Sequence, residues 1–192
     1  QLRMQVYFID NEENFPRRQK FNDTNGTFMH NNDERMIFYC KGVIETVRKL
    51  GWKPDIIHCQ GWFSSLVPMY IKKLYADDPL FEDVKVIYSV FDNTYEGVLS
   101  STLAEKLLFE DLEEPDVAKL KKSNINNLHK HAIDYADAVV QASANIEKEV
   151  LEYIKYSEKP FMEYPGEEDY INAYQDFYEQ FIEEEEVALI EN

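Results

Sequence analysis

The stretch GWKPDIIHCQGWFSSLVP, residues 51–68, constrains the fold more than any other part of this chain. Gly51 closes an amphipathic helical run over residues 33–50, whose apolar positions are Met36, Ile37, Cys40, Val43, Ile44, Val47 and Leu50. Residues 55–59 then form a short apolar run bounded by polar residues, the signature of a buried strand. Gly61 supplies a turn, and Ser64 and Ser65 offer hydroxyl caps for a following helix over residues 64–74. In parallel α/β proteins the carboxyl end of such a strand is where ligands sit.

The same alternation runs through the rest of the chain. Strands are expected at residues 4–10, 86–90, 138–142 and 160–164, and helices at 103–109, 115–134, 145–156 and 167–184. Residues 11–32 read as a loop containing an Asn25-Gly26 turn, and residues 91–114 as a polar loop around the short helix. Strands separated by helices imply an α/β fold, a parallel sheet with helices on both faces. No linker divides the 192 residues, so one domain covers residues 1–192, with residues 183–192 as an acidic tail.

The chain carries 37 acidic and 20 basic residues, a net charge of −17, which disfavours nucleic acid and anionic membrane surfaces as partners. No apolar run approaches the roughly 18 residues that span a bilayer. QLRMQVYFID has no secretory signal pattern, lacks an initiator Met and opens almost directly on the first expected strand, so an internal piece of a longer protein is expected. Two cysteines, Cys40 and Cys59, are too few for a disulfide framework and lack metal spacing, which makes cytoplasm the default compartment. His129 and His131, two apart in a helical run, point to different faces and make a poor metal pair. Tyr170, Ile171, Tyr174, Phe177, Tyr178 and Phe181 form a stripe of helical spacing that is expected to dock on the domain's own sheet. There is no glycine-rich phosphate loop, serine nucleophile elbow or cysteine–histidine dyad.

Six segments, in order, resemble the amino-terminal half of bacterial glycogen and starch synthases. VYFIDNEENFPRR (residues 6–18), NNDERMIFYCKGVIE (31–45), LGWKPDIIHCQGW (50–62) and LVPMYIKKLY (66–75) are similar to the family's VYFIDN..YF.R, DN.ERF.FF.RA.LE, LGW.PDIIHCHDWQT and LVP.YLK. KVIYSVFDNTYEG (85–97) resembles K.VFTIHNLAYQG, and IDYADAVVQASANIEKEV (133–150) resembles I.YAD.ITTVSPTYA.EI. The resemblance implies a three-layer Rossmann-like sheet, the amino-terminal half of a GT-B glycosyltransferase, with the family's first strand lying ahead of Gln1. The family pattern stops after about Val150, and the remaining residues have room for one strand and one helix.

In the family, the HDW aspartate and the histidine of HNLAYQG line the sugar-transfer cleft; here those positions are Gly61 and Phe91. Neither side chain accepts a hydrogen bond or holds developing positive charge. The resemblance therefore implies no catalytic residue at these positions, and substrate-binding candidates at His58, Trp62, Asp92, Asn93, Tyr95 and Glu96. Each also has a structural reading: His58 as a satisfied strand-end histidine, Trp62 as packing under the turn, and the residues from Asp92 to Glu96 as a solvated loop. In the DN.ER segment, Asn32 or Asp33 caps the helix, and Glu34 and Arg35 pair with neighbours. The expected function is a synthase-like domain without independent glucosyltransferase activity, acting in or regulating α-glucan metabolism, with no metal or other cofactor. Its ligand class is an α-glucan or a sugar nucleotide. The alternatives are a transferase using ADP- or UDP-glucose that a partner chain completes with a second domain, and a non-catalytic glucan- or protein-binding module.

Overall fold

A computed structural model of the chain describes residues 4–9, 11, 12, 15, 21–92, 97–108 and 111–190, with side chains through residue 182. Its frame is a parallel sheet of β1 (Ile56–Gln60), β2 (Lys85–Val90), β3 (Ala138–Gln141) and β4 (Phe161–Met162), in that order. Cys59 pairs with Tyr88, Tyr88 with Val139, and Val139 with Phe161, so one row of side chains crosses the whole sheet.

Alternation along each strand divides the core in two. Cys59, Val86, Tyr88, Val90 and Val139 face a large cluster built with α1 (Asn32–Leu50), α2 (Val67–Lys73), α3 (Leu103–Leu108), α4 (Glu114–Val117), α5 (Ile125–Tyr135) and α6 (Lys148–Tyr156). Ile87, Ala138 and Val140 face the other way, against Phe177 and Phe181 of α7 (Tyr170–Ile190). Strands taken in sequence order, joined by crossovers of one hand, carry all their connecting helices over one face. Among the described residues, α7 is the only helix on the other. The expected aromatic stripe thus docks on the sheet through its Tyr174, Phe177, Tyr178 and Phe181 portion, while Tyr170 and Ile171 stay exposed.

α1 begins one residue earlier than expected and ends as expected, at Gly51 in the left-handed conformation that glycine adopts without strain (φ 62°). No side chain caps its start: the Asn32 amide instead donates to the Phe21 carbonyl (2.8 Å) and accepts from Arg35 (2.5 Å). Glu34 and Asp33 both receive Lys106 (2.8 and 2.6 Å).

Several expectations are corrected. Residues 4–9 join no sheet, and Met4, Val6 and Phe8 are exposed; an alternating apolar pattern makes a strand only where a neighbouring strand takes its backbone hydrogen bonds. Ser64 and Ser65 do not cap α2. Ser64 sits in a 3₁₀ turn, Trp62–Ser64, and donates to the Gly61 carbonyl (2.9 Å), while α2 starts through Pro68, whose fixed φ suits a first turn. The single helix expected over residues 115–134 is broken into α4, a 3₁₀ turn (Ala118–Lys121) and α5. The break is held by Ser123, whose hydroxyl donates to the Leu99 carbonyl (2.8 Å), and by Asn124, whose side chain accepts from the Asn127 N–H (2.8 Å) and caps α5. The strand expected at 160–164 shortens to β4. The side chains of the acidic residues 183–192 lie outside the described residues.

Candidate functional site

The loops after β1 and β2 meet at the carboxyl edge of the sheet. Gly61 extends the ladder by one bond, its N–H donating to the Ser89 carbonyl (3.0 Å), and then turns with φ 73° and ψ 174°. That conformation is essentially restricted to glycine, because a Cβ would strain the backbone. The space beside it is open enough: an added Cβ would meet Phe91 Cδ2 at 3.8 Å, an ordinary contact. The two positions that replace the family's cleft groups therefore lie against each other, with the Phe91 ring 37% exposed and Asp92 exposed beside it. Asn93, Tyr95 and Glu96 lie outside the described residues.

Trp62 is buried, which favours its packing role over a sugar platform. The residue is 8% exposed and packs against Phe21 (4.8 Å between ring centroids), Phe63 (5.2 Å) and Phe28 (6.2 Å). The turn at Gly61 drops the chain back onto the α-helical face, so the residue that follows goes into the core.

His58 points to the α7 face. Its Nδ1 lies 2.6 Å from the Tyr178 hydroxyl and its Nε2 2.6 Å from the Ser89 hydroxyl. Burial pushes its pKa down to about 4, so at neutral pH the ring is uncharged, with one nitrogen donating and the other accepting. Both nitrogens are committed. Tyr178 belongs to the aromatic stripe read from the sequence, though not as a partner of His58; Ser89 was not singled out, and its signal was a serine interrupting the apolar run of β2. At the end of β3 the Gln141 amide donates to the Ser143 and Ala144 carbonyls (3.0 and 3.1 Å) and fixes that loop.

Cys40, Cys59, His129 and His131 are sealed in the core. Burial pushes the Cys40 thiol up to about 12 and the Cys59 thiol higher still, so neither is a nucleophile at neutral pH. His129 Nδ1 is 2.7 Å from the Tyr88 hydroxyl, and His131 packs on Tyr135; burial lowers both to about 4. Among the described residues no cluster of histidine, cysteine or carboxylate side chains has the geometry to hold a metal ion.

Comparison with known proteins agrees with this frame. Residues 1–160 match the family model described as starch synthase catalytic domain. Relatives include the glycogen synthases of Chlorobium limicola, 37% identical over 142 residues covering 73% of this chain and 28% of that protein, and of Chlorobium luteolum, 35% identical over 150 residues covering 78% and 30%. The chain thus spans about 30% of the length of the relatives it matches. The catalytic domain of starch synthase IV from Arabidopsis thaliana, solved bound to ADP and acarbose, shares the fold with a TM-score of 0.61 at 21% identity, over 80% of this chain and 32% of that one. The family model matches most of the length of the chain, and the chain belongs to the starch synthase catalytic domain family.

Proposed function

We propose that this chain is a glycogen/starch synthase-like domain that acts in α-glucan metabolism without glucosyltransferase activity of its own. The observation that carries this reading is that Gly61 and Phe91, which stand where the resemblance places a cleft aspartate and histidine, are neighbours at the carboxyl edge of the sheet, a Cβ built on Gly61 lying 3.8 Å from the Phe91 ring. Their side chains supply neither a carboxylate nor a hydrogen-bonding ring to a sugar. His58 adds no free nitrogen, since Tyr178 and Ser89 occupy both. In this reading the domain is cytoplasmic, spans residues 1–192 with residues 183–192 as its acidic tail, and takes an α-glucan or a sugar nucleotide at the carboxyl edge of the sheet. The ADP and acarbose bound by the Arabidopsis relative support that ligand class. Among the described residues no helix is long and apolar enough to cross a membrane.

The test is incubation of purified protein with radiolabelled ADP-glucose or UDP-glucose and glycogen, alongside calorimetric titration with maltoheptaose and ADP-glucose. Binding without incorporation is the expected result. Incorporation well above a heat-killed control refutes the loss of activity, and absence of binding in every titration refutes the ligand class.

A further inference from the structure

We infer that α7 is a hinged strap, which lifts from the sheet as a unit to uncover Ile87, Ala138 and Val140 and release His58 while the opposite face stays closed. The two faces of the sheet are held very differently. On one, six helices and the strands between them interlock through a continuous cluster that includes Met36, Leu66, Tyr88 and Leu128, all fully buried. On the other, α7 stands alone among the described residues. It buries Phe177 and Phe181 nearly fully, with Tyr174 and Tyr178 partly buried beside them.

The polar links are equally uneven. Among the described residues no ion pair ties α7 to the rest of the chain, whereas Lys72–Asp137, Lys73–Asp116 and Lys119–Asp134 cross between elements on the other face. The side-chain hydrogen bonds of Gln175 and Gln180 stay within α7. Among the described residues one side-chain hydrogen bond reaches across, between Tyr178 and His58. The link to β4 is a segment without regular structure, containing Pro165 and then Gly166 at φ +84°, where glycine lets the backbone turn without strain. The family match ends at residue 160, ahead of α7.

These features are those of a local opening unit: a small buried cluster, a link without regular structure and one polar latch. Lifting α7 breaks the latch and exposes Phe177, Phe181 and the strand residues beneath them, a small cluster, whereas opening the other face requires unfolding the sheet. In the lifted state Nδ1 of His58 is exposed next to the apolar strip of β2 and β3. The strap itself does not depend on the proposed function.

The chain carries its own reference thiols, since Cys40 and Cys59 are buried on the closed face. Ala138→Cys adds one beneath α7, at a fully buried position. The folded variant is treated with N-ethylmaleimide in native buffer, and labelling at each cysteine is followed by peptide mass spectrometry. Cys40 and Cys59 should label slowly and together, and the new thiol at least tenfold faster. Adding Tyr178→Phe should raise its rate threefold or more and leave the other two unchanged. Equal rates at all three sites, the signature of global unfolding only, overturn the strap. An unchanged rate in the Tyr178→Phe background overturns the hydrogen bond as its latch. Val140→Cys, under the same helix, replaces Ala138→Cys if that variant fails to fold.

Discussion

Stability should fall steeply as the pH drops from 7.5 to 5.5. His58, His129 and His131 each have a pKa lowered to about 4 by burial, against an ordinary value of 6.5. Between those values the unfolded chain binds protons that the folded chain refuses, so unfolding becomes easier as pH falls. The stability is fully present above about pH 6.5, declines through the window, and is lost by about pH 4. At pH 5.5 an unfolded histidine is about 90% protonated and a folded one nearly neutral, a difference on the order of 1 kcal/mol for each residue. Together the three amount to a few kcal/mol, a sizeable share of the roughly 5–15 kcal/mol typical of a domain. The assay is urea unfolding followed by tryptophan fluorescence and circular dichroism at pH 7.5, 6.5 and 5.5. His131→Leu sharpens it: His131 Nε2 has no hydrogen-bond partner, so its replacement should flatten the pH slope by about a third. A stability at pH 5.5 within about 1 kcal/mol of that at pH 7.5 would refute the reasoning, because the imidazoles would then have found water or a partner for their charge.

Gly61→Ala should cost about 1–3 kcal/mol through backbone strain alone, since φ is +73° and the added methyl group meets no close atom; an unchanged melting temperature argues against it. The double variant Gly61→Asp, Phe91→His should not gain glucosyl transfer in the radiolabel assay, because catalytic groups that act as a unit are not restored piecemeal. Trp62→Ala should lose about 3–5 kcal/mol in urea unfolding, as expected of a buried aromatic. Phe91→Ala, at a partly exposed ring, should lose less than about 1 kcal/mol by the same measurement, and a loss as large as that of Trp62→Ala would place the ring in the core.

What the sequence determined by itself is local. The spacing of Met36, Cys40 and Ile44, with Gly51 after them, defines α1 to within a residue at each end, since helix periodicity and a glycine cap act within a few turns. β1, β2 and β3 were equally legible, because short apolar runs bounded by polar residues are what a sheet covered on both faces requires. Residues 4–9 carried the same kind of pattern and formed no strand, because a strand is completed by its neighbour's backbone and not by its own side chains. Tertiary structure also decided the fate of two aromatics that look alike in sequence. Trp62 follows a turn that sends it into the core, and Phe91 follows a strand end that leaves it half open over Gly61. His58 is the clearest case: its partners are Ser89, one strand across, and Tyr178, 120 positions later on the helix that covers the opposite face. No local pattern encodes such a pairing. It exists because crossovers of one hand place their helices on one face and leave α7 to close the other, over the imidazole.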